Sequence, residues 1–423
     1  MKKHLFLLFF FLFTVTFISA QITIQGKVLD SQNKPLEGAS VYLNNTSIGT
    51  TTNDEGKFEL VIKEGVHEII VSYLGYETLQ YQLDTSKPNK PLTFKTRASA
   101  NLLDEIVLNN KKYSKEKRAH FMSRFKRSFI GRTNLSKRCR ILNPEVIQFD
   151  YNELSHVLEA YVSKPIEVLN KDLGYKIYYD LIHFELTHNK ITYLGYTRYV
   201  KLKGGRGKQR KWKKNRLRAY NGSQMHFIRS IMNNTFSKEG FIVDQSKRIP
   251  NPERPSDSVL KKTRKYLRNL QVQGKPTGIV ISSKNTSVSF ATDKNKGISS
   301  TALEFKRDSA LFILRKARLK KLINMPVKKK LSQGDFVIRS GYSMAIKFQY
   351  YLDIRYVNEE EEDNYRRGSA KLKHQASILT LFTEYVELDK AGIFIQPLDV
   401  FVEGYWSYEK IADLLPLDYY PEN

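Results

Sequence analysis

The chain has 423 residues, with 70 Lys and Arg against 43 Asp and Glu, a net charge of +27 and a single cysteine. One cysteine excludes an intrachain disulfide, so the fold must be held together by its own hydrophobic core. A chain of this length is long enough to bury such a core in two or three domains.

Residues 1–20 have the pattern of a secretory signal peptide. Lys2 and Lys3 precede the apolar run from Leu5 to Phe17, and Ser19-Ala20 supplies small residues for cleavage. The run is shorter than the roughly 20 residues that span a bilayer. We predict cleavage after Ala20, which leaves no transmembrane helix. The residue directly after Ala20 is Gln21 and not a cysteine, so the new N-terminus cannot be lipidated on a cysteine. We therefore expect a soluble or peripherally bound product.

The segment 21–108 has the pattern of a β-sandwich. Apolar residues alternate with polar ones in short runs, first at Ile22, Ile24 and Val28 and later at Phe58, Leu60 and Ile62. Turn residues rich in Pro, Gly, Asn and Asp separate the runs. About seven short strands in fewer than ninety residues favour a sandwich.

Sequence motifs in and between these strands resemble those of a known family. The motifs are Gly26-x-Val28-x-Asp30, Pro35-Leu36-x-Gly38-Ala39, Gly49-Thr50-x-Thr52-Asn53-Asp54-x-Gly56-x-Phe58 and Ser72-Tyr73-Leu74-Gly75-Tyr76. They are similar to the carboxypeptidase regulatory-like domain, which implies a transthyretin-like (prealbumin-like) fold. In that family the module accompanies carboxypeptidase catalytic domains or precedes outer-membrane nutrient receptors, and Leu103-Asp104-Glu105-Ile106-Val107 resembles the segment that follows it in those receptors. The resemblance implies no peptidase activity, because the module is the non-catalytic companion.

Charge divides the chain near Leu108. Residues 22–108 carry eight basic and eleven acidic side chains, whereas 109–423 carries 60 basic and 32 acidic ones. This asymmetry predicts a domain boundary and an anionic partner for the second part. We therefore predict a signal peptide (1–20), a carboxypeptidase regulatory-like sandwich (21–108), a basic amphipathic helical linker (109–134) and a β-rich basic domain (135–423).

The linker is predicted to be a helix within 110–130. Ala119, Met122, Phe125 and Phe129 recur at three- and four-residue spacing, with basic residues on the other faces. Such a helix either packs its apolar face on the next domain or lies on an anionic membrane surface. We favour packing.

The remaining sequence predicts a β-rich α+β region, so the fold class is mainly β / α+β. Aromatic-rich strands are expected at 175–179, 191–196, 348–357 and 378–386. Helices are expected at 223–233, 257–270 and 407–415. The acidic run Glu359 to Asp363 is expected to be a solvated loop.

The sequence contains few motifs typical of a catalytic or metal site. His156-Val157-Leu158-Glu159 has the spacing of two zinc ligands, but on the expected strand 155–162 the two side chains point to opposite faces. No nucleophile, phosphate-loop or metalloprotease motif occurs. Cys139 is expected to be a buried, inert thiol. No metal and no cofactor are expected.

The most distinctive segment is Lys201–Arg218, which holds ten Lys or Arg and no acid around Gly204, Gly205, Gly207 and Trp212. It is either a phosphate- or carboxylate-binding glycine loop or a solvated, partly disordered one. The candidate anion-binding residues are Lys208, Arg210, Lys211, Trp212, Lys213, Lys214, Arg216 and Arg218. The run Arg315–Lys330 adds eight more bases.

These patterns predict a non-catalytic binding or scaffold protein, exported to the periplasm or the periplasmic face of the outer membrane of a Gram-negative bacterium. Its partner is expected to be an envelope protein or an anionic lipid or lipopolysaccharide surface, with carbohydrate as a further possibility and no nucleic acid. Two alternatives stay open. One is a carboxypeptidase-like hydrolase with an unrecognised active site, and the other is a small outer-membrane β-barrel formed by 140–423.

Overall fold

A computed structural model describes residues 21–87, 90–99, 113–188, 190–272, 300–340, 343–365 and 372–422. The predicted signal peptide and the segment Leu103-Asp104-Glu105-Ile106-Val107 lie outside these residues. The strands are β1 (Gln21–Leu29), β2 (Ser40–Leu43), β3 (Gly49–Thr51), β4 (Lys57–Lys63), β5 (Val66–Ser72), β6 (Leu79–Asp84), β7 (Leu92–Lys95), β8 (Cys139–Ile141), β9 (Ile147–Asn152), β10 (Val157–Val162), β11 (Ile166–Asn170), β12 (Tyr175–Leu186), β13 (Ile191–Lys201), β14 (Phe241–Pro250), β15 (Leu322–Lys328), β16 (Val337–Ser340), β17 (Ser343–Ile346), β18 (Tyr351–Tyr356), β19 (Gln375–Leu381), β20 (Val386–Asp389), β21 (Ile393–Phe394) and β22 (Val400–Gly404). The helices are α1 (Lys115–Phe129), α2 (Arg206–Tyr220), α3 (Gln224–Met232), α4 (Asp257–Val272), α5 (Ser300–Lys316) and α6 (Tyr405–Tyr408).

The N-terminal strands form the predicted sandwich. One sheet has the order β4-β1-β7 and the other β3-β2-β5-β6. On β1 and β4 the burial of side chains alternates strictly, because successive residues of a strand point to opposite faces. The inward-facing residues of both sheets form one apolar core, which includes Ile24, Val28, Phe58, Ile69 and Phe94. The predicted seven-stranded β-sandwich is therefore confirmed.

Helix α1 is part of the core that follows the sandwich. Ser114 is its N-cap and accepts a hydrogen bond from the backbone N–H of Lys117 at 3.2 Å. The buried stripe consists of Phe121, Phe125 and Phe129, which are spaced by four residues. The predicted stripe was therefore partly wrong, because Ala119 is exposed and Met122 only half-buried. Three phenyl rings bury much more apolar area than an alanine does, so they determine which face of the helix packs on the core.

The sheet beneath α1 has the strand order β8-β11-β12-β10-β9, with β13 paired to β12. Long antiparallel strands β12 and β13 pair from Tyr175↔Lys201 to Leu186↔Ile191, with one irregularity between Leu181 and His183. Their aromatic side chains pack on α1, as in the edge-to-face contact of Phe129 with Tyr179, whose ring centroids are 5.0 Å apart. The expected strands at 175–179 and 191–196 were thus correct in place but too short.

The described residues separate into two compact units. The larger draws on described residues within Met1–Ile242, Gln333–Lys347 and Ile354–Asn423, and the smaller on Val243–Ser332 and Phe348–Asp353. The larger unit also holds the four-stranded sheet β16-β17-β20-β21 and the antiparallel pair β19–β22. In the smaller unit β14 pairs with β15, and Leu267 of α4 packs on Ala310 of α5. The domain boundaries drawn at 108 and 134 stay predictions.

Two of the three expected helices occur where the sequence places them. Ser223 caps α3 by accepting from the N–H of His226 at 3.2 Å, and α4 begins at Asp257. The expected helix 407–415 is wrong, because α6 ends at Tyr408. The backbone N–H groups of Ile411 and Ala412 instead donate to the carbonyls of Phe129 and Ile130, which the end of α1 leaves without helical partners.

Candidate functional site

The basic segment is a helix and not a glycine loop. Gly205 is the N-cap of α2, with an extended backbone. Trp212 lies in the second turn, is only 4% exposed, and its indole Nε1 donates to the carbonyl of Lys171 at 3.0 Å. The glycines provide room for this ring, since a Cβ on Gly174 or Gly204 would overlap it. Trp212 therefore anchors the helix and does not face solvent.

Two polar side chains complete the anchor. The Nε of Arg216 donates to the carbonyl of Leu173 at 2.8 Å, and its guanidinium lies over the ring of Tyr175 at 4.2 Å. Asn215 donates from its amide to the carbonyl of Asp172 at 2.8 Å. Together with Trp212 they attach one face of α2 to the turn between β11 and β12. Arg216 therefore helps to hold the helix in place, and its role as an anion ligand stays a prediction.

Three other candidate bases already have acidic partners. Lys211 pairs with Asp172 at 2.7 Å, and Lys213 pairs with Glu422 at 2.9 Å. Arg218 donates to Glu362 at 3.0 Å, and the Glu362 side chain is only 7% exposed. The Lys213–Glu422 pair is exposed on both sides and contributes little to stability, but in all three pairs the acid reduces the charge that its base offers to a ligand.

The remaining candidates lie on the solvent side of α2. Lys208, Arg210 and Lys214 are exposed and have no ion-pair partner among the described residues. Arg206 has the same properties and was not among the sequence candidates. Arg206, Arg210 and Lys214 are four residues apart and therefore share one helix face. We call these three residues the basic stripe.

A small hollow adjoins the basic stripe. It has a volume of about 240 Å³ and is lined by Arg210, Lys213 and Arg216 together with Gln209, Tyr419 and Glu422. Three bases around one small hollow suit an anionic group, because guanidinium and ammonium groups donate charge-assisted hydrogen bonds to phosphate or carboxylate oxygens. The salt bridge of Glu422 to Lys213 closes part of it.

The acidic run Glu359 to Asp363 is a loop, as predicted, but it is only partly solvated: Glu360 and Asp363 are exposed, and the other three side chains are not. Glu361 is 1% exposed. Glu362 accepts hydrogen bonds from the backbone N–H of Asn134 at 2.8 Å and from the hydroxyl of Tyr408 at 3.2 Å. Glu361 and Glu362 are therefore largely buried within the fold, although the acidic sequence around them predicted exposure to solvent.

A larger cleft of about 810 Å³ lies elsewhere in the same unit, and no sequence pattern predicted it. Its walls come from the end of α1, the start of β13, the first residue of α3, Phe382 after β19, and the chain from Pro397 through β22 and α6 to Leu414. Four basic residues, Arg127, Arg132, Lys190 and Lys410, line it with two acidic ones, Glu403 and Glu409. Phe382 and Leu398, on its rim, are 61% and 55% exposed. The volume is in the range of ligand sites in proteins.

Two ionisable residues that line this cleft, Glu409 and Lys410, and the nearby Asp413 have shifted pKa values. Burial lowers the pKa of Lys410 to about 8. Burial also raises the pKa of Asp413 to about 7, although hydrogen bonds from Thr133 and the Lys410 backbone oppose the change. The pKa of Glu409 is raised by burial and by the nearby carboxylates of Asp413, Glu359 and Glu362. Such groups cluster at functional sites more often than elsewhere.

The zinc-like spacing at His156 does not form a metal site in the described residues. His156 lies in the turn before β10 with φ +56°, and its Nδ1 is 2.9 Å from the hydroxyl of Tyr151. Glu159 is bonded to the hydroxyl of Tyr161 at 3.0 Å. Among the residues that the structure describes, no three His, Cys, Asp or Glu side chains are grouped closely enough to hold an ion.

Comparison with known proteins gives a match for the sandwich. Residues 24–108 match the CarboxypepD_reg-like domain family. The N-terminal module is a carboxypeptidase regulatory-like domain. The match covers this domain and does not extend into the basic α+β region.

Two curated proteins are similar to part of this chain. TonB-dependent receptor P39 of Formosa agariphila is 30% identical over 113 residues, which are 27% of this chain and 10% of the relative. TonB-dependent receptor SusC of Bacteroides thetaiotaomicron is 34% identical over 88 residues, which are 21% of this chain and 8% of the relative. The chain thus covers about a tenth of the length of the curated relatives it matches.

None of the described helices is both long and apolar enough to cross a membrane.

Proposed function

We propose that this chain is an envelope-associated, non-catalytic binding protein that holds an anionic partner through the basic stripe of α2. The observation that carries the proposal is the rigid presentation of Arg206, Arg210 and Lys214 on one exposed face, without acidic partners among the described residues. A helix fixed by Trp212 loses little conformational freedom on binding. The attraction between its bases and an anion is therefore offset by only a small entropic cost.

The envelope compartment is supported by the regulatory-like domain and its occurrence in TonB-dependent receptors. The predicted signal peptide 1–20 agrees with it. In this compartment the abundant anions are phosphate groups of phospholipids and lipopolysaccharide. Three bases on a convex helix suit a surface of many phosphates better than one enclosed small molecule. We therefore propose a phosphate-bearing lipid surface at the periplasmic face of the outer membrane as the partner.

The sandwich is proposed to act as a scaffold for this surface. Backbone hydrogen bonds join it to β13, where the N–H of Asn45 donates to the carbonyl of Thr197 at 2.7 Å and the N–H of Tyr199 donates to Thr46 at 2.9 Å. The hydroxyl of Tyr42 also donates to buried Asp180 at 2.9 Å. These contacts attach the sandwich to β12 and β13 within the larger unit.

The test is co-sedimentation with vesicles of phosphatidylglycerol and phosphatidylcholine. Each basic residue near an anionic surface contributes about 1 kcal/mol, so replacing three of them is expected to weaken binding about 100-fold. The variant is Arg206→Gln, Arg210→Gln and Lys214→Gln, which preserves helix propensity.

The matched control replaces Lys261, Lys262 and Lys265 by Gln. These residues are exposed on α4, and their replacement removes the same amount of charge as the stripe variant does. It is expected to bind like the wild type, and neither protein is expected to bind pure phosphatidylcholine. Equal weakening by the two triple variants would refute the stripe and leave only a diffuse effect of net charge.

A further inference from the structure

The large cleft is bordered by the edges of two β-strands. Ile191, Thr192 and Tyr193 of β13 all line it, as do the four consecutive residues Val400–Glu403 of β22. Successive side chains of a strand point to opposite faces, so a cavity on one face contacts every second residue. Contact with every residue means that the cavity meets the strand from its edge.

Both edges lack a neighbouring strand there among the described residues. β13 pairs with β12 on one side, and on the other side only its later part is bonded to the sandwich, at Thr197 and Tyr199. β22 pairs with β19 from Val400↔Leu381 to Gly404↔Ser377 and is the terminal strand of its sheet. An unpaired edge presents backbone N–H and C=O groups that another chain can use.

The lining combines apolar and cationic groups. Phe382 and Leu398 form an exposed apolar rim, with Trp406 buried at the wall. Arg127 and Arg132 are exposed on the opposite wall, and neither is in an ion pair with a described residue. The four bases outnumber the two acids of the lining, and burial raises the pKa of one of these acids, Glu409.

We propose that this cleft binds an extended peptide segment of a partner protein, which adds as a strand to the edge of β22. The peptide's backbone completes the hydrogen bonds of β22, and its apolar side chains contact Phe382 and Leu398. Carboxylate side chains of the peptide pair with Arg127 and Arg132. β22 has five residues, and at about 3.3 Å per residue it accommodates a segment of about five residues.

Strand addition explains a combination that a small-molecule site does not require. A compact ligand needs a few convergent polar groups, whereas this cleft has two unpaired backbone edges along its length. The cationic side chains select acidic peptides, and the exposed apolar rim favours alternate apolar residues. The proposal is independent of the basic stripe, since no residue of α2 lines the cleft.

The experiment is a selection from displayed random heptapeptides against the full mature chain, followed by measurement of the enriched peptide by fluorescence anisotropy. We expect enrichment of acidic residues that alternate with apolar ones. Arg127→Gln with Arg132→Gln is expected to weaken binding at least tenfold, because both charge-assisted pairs with the carboxylates of the peptide are lost. The control Lys126→Gln with Lys137→Gln removes equal exposed charge outside the cleft and is expected to bind normally.

Hydrogen exchange then identifies the bound edge. Bound peptide is expected to slow amide exchange within Val400–Gly404, and a proline at the centre of the peptide is expected to abolish binding because it removes a backbone donor. The triple variant of the basic stripe is expected to bind the peptide normally, which separates this proposal from the lipid proposal. Failure to enrich any peptide, undiminished binding by the double arginine variant, or unchanged exchange in β22 would each overturn it.

Discussion

The contact between Gly174 and Trp212 predicts a large non-additive effect on stability. Gly174 has φ +72°, a conformation that costs a residue with a side chain about 1–2 kcal/mol. An alanine Cβ at this position would also overlap the indole ring, and overpacking of a buried site costs about 1–3 kcal/mol. We therefore expect Gly174→Ala to lower the free energy of unfolding by about 2–5 kcal/mol.

The same substitution should cost much less when the ring is absent. Trp212→Ala by itself is expected to cost about 3–5 kcal/mol, as large-to-small changes of buried aromatic residues do. In that background Gly174→Ala retains only the backbone cost of about 1–2 kcal/mol. The double variant should thus be more stable than the sum of the single changes implies, by about 1–3 kcal/mol.

Urea unfolding followed by far-ultraviolet circular dichroism measures all four proteins of this cycle. Gly207→Ala serves as control, because a Cβ there would meet open space and the residue lies in a helix. It is expected to be neutral or slightly stabilising. If Gly174→Ala costs the same with and without the indole ring, α2 is not anchored as described.

Three further predictions concern buried ionisable groups. Burial raises the pKa of Asp413 to about 7 from its ordinary 3.8, so the folded state binds this proton more tightly. Stability is therefore highest below about pH 4 as far as this group is concerned and falls until about pH 7. Asp413→Asn should remove that fall and gain up to about 4 kcal/mol at pH 8 by urea titration, and an unchanged pH profile would contradict the assignment. Arg229 is 6% exposed and donates to the carbonyls of Ala391, Leu417 and Tyr419, so Arg229→Met should cost about 3–5 kcal/mol in thermal or urea unfolding. A loss under 1 kcal/mol would refute this role. Burial raises the pKa of the Cys139 thiol to about 12, so it should react with a maleimide only after unfolding, as mass spectrometry would reveal, and rapid labelling of the native protein would be inconsistent with its burial.

The sandwich was predictable because its signals are local. Alternation on β1 and β4 and turn residues such as those at 53–56 determine strands and hairpins without knowledge of distant contacts. The cap at Ser223 is equally local, since it needs only the N–H three residues later. In these places the sequence and the structure agree for physical reasons that act over a few residues.

The basic helix was missed because its glycines resemble those of a loop. Gly204 and Gly205 precede the helix and do not interrupt it, and Gly207 lies in its first turn. What stabilises the helix is the docking of Trp212 on the turn around Gly174, a contact over 38 positions that the sequence does not reveal. The same limit applies to Glu361, whose burial depends on tertiary structure and not on the charge of its neighbours.

The cleft was beyond prediction for a further reason. Its residues come from five separate parts of the chain between Arg127 and Leu414, and none of these parts has a distinctive motif. The short helix α6 and the bonds of Ile411 and Ala412 to α1 bring the last segment into place. Only the packed structure defines this site.

The proposed function is tested most directly by the fluorescence emission of a dye on the exposed face of α2 in the presence of anionic vesicles. Gly207 lies seven residues before Lys214 and thus on the same helix face. An environment-sensitive dye attached to Gly207→Cys should shift to the blue with phosphatidylglycerol vesicles but not with phosphatidylcholine vesicles. The same dye at Lys265→Cys should not respond to either. A blue shift at both positions, or at neither, would contradict binding through the basic stripe.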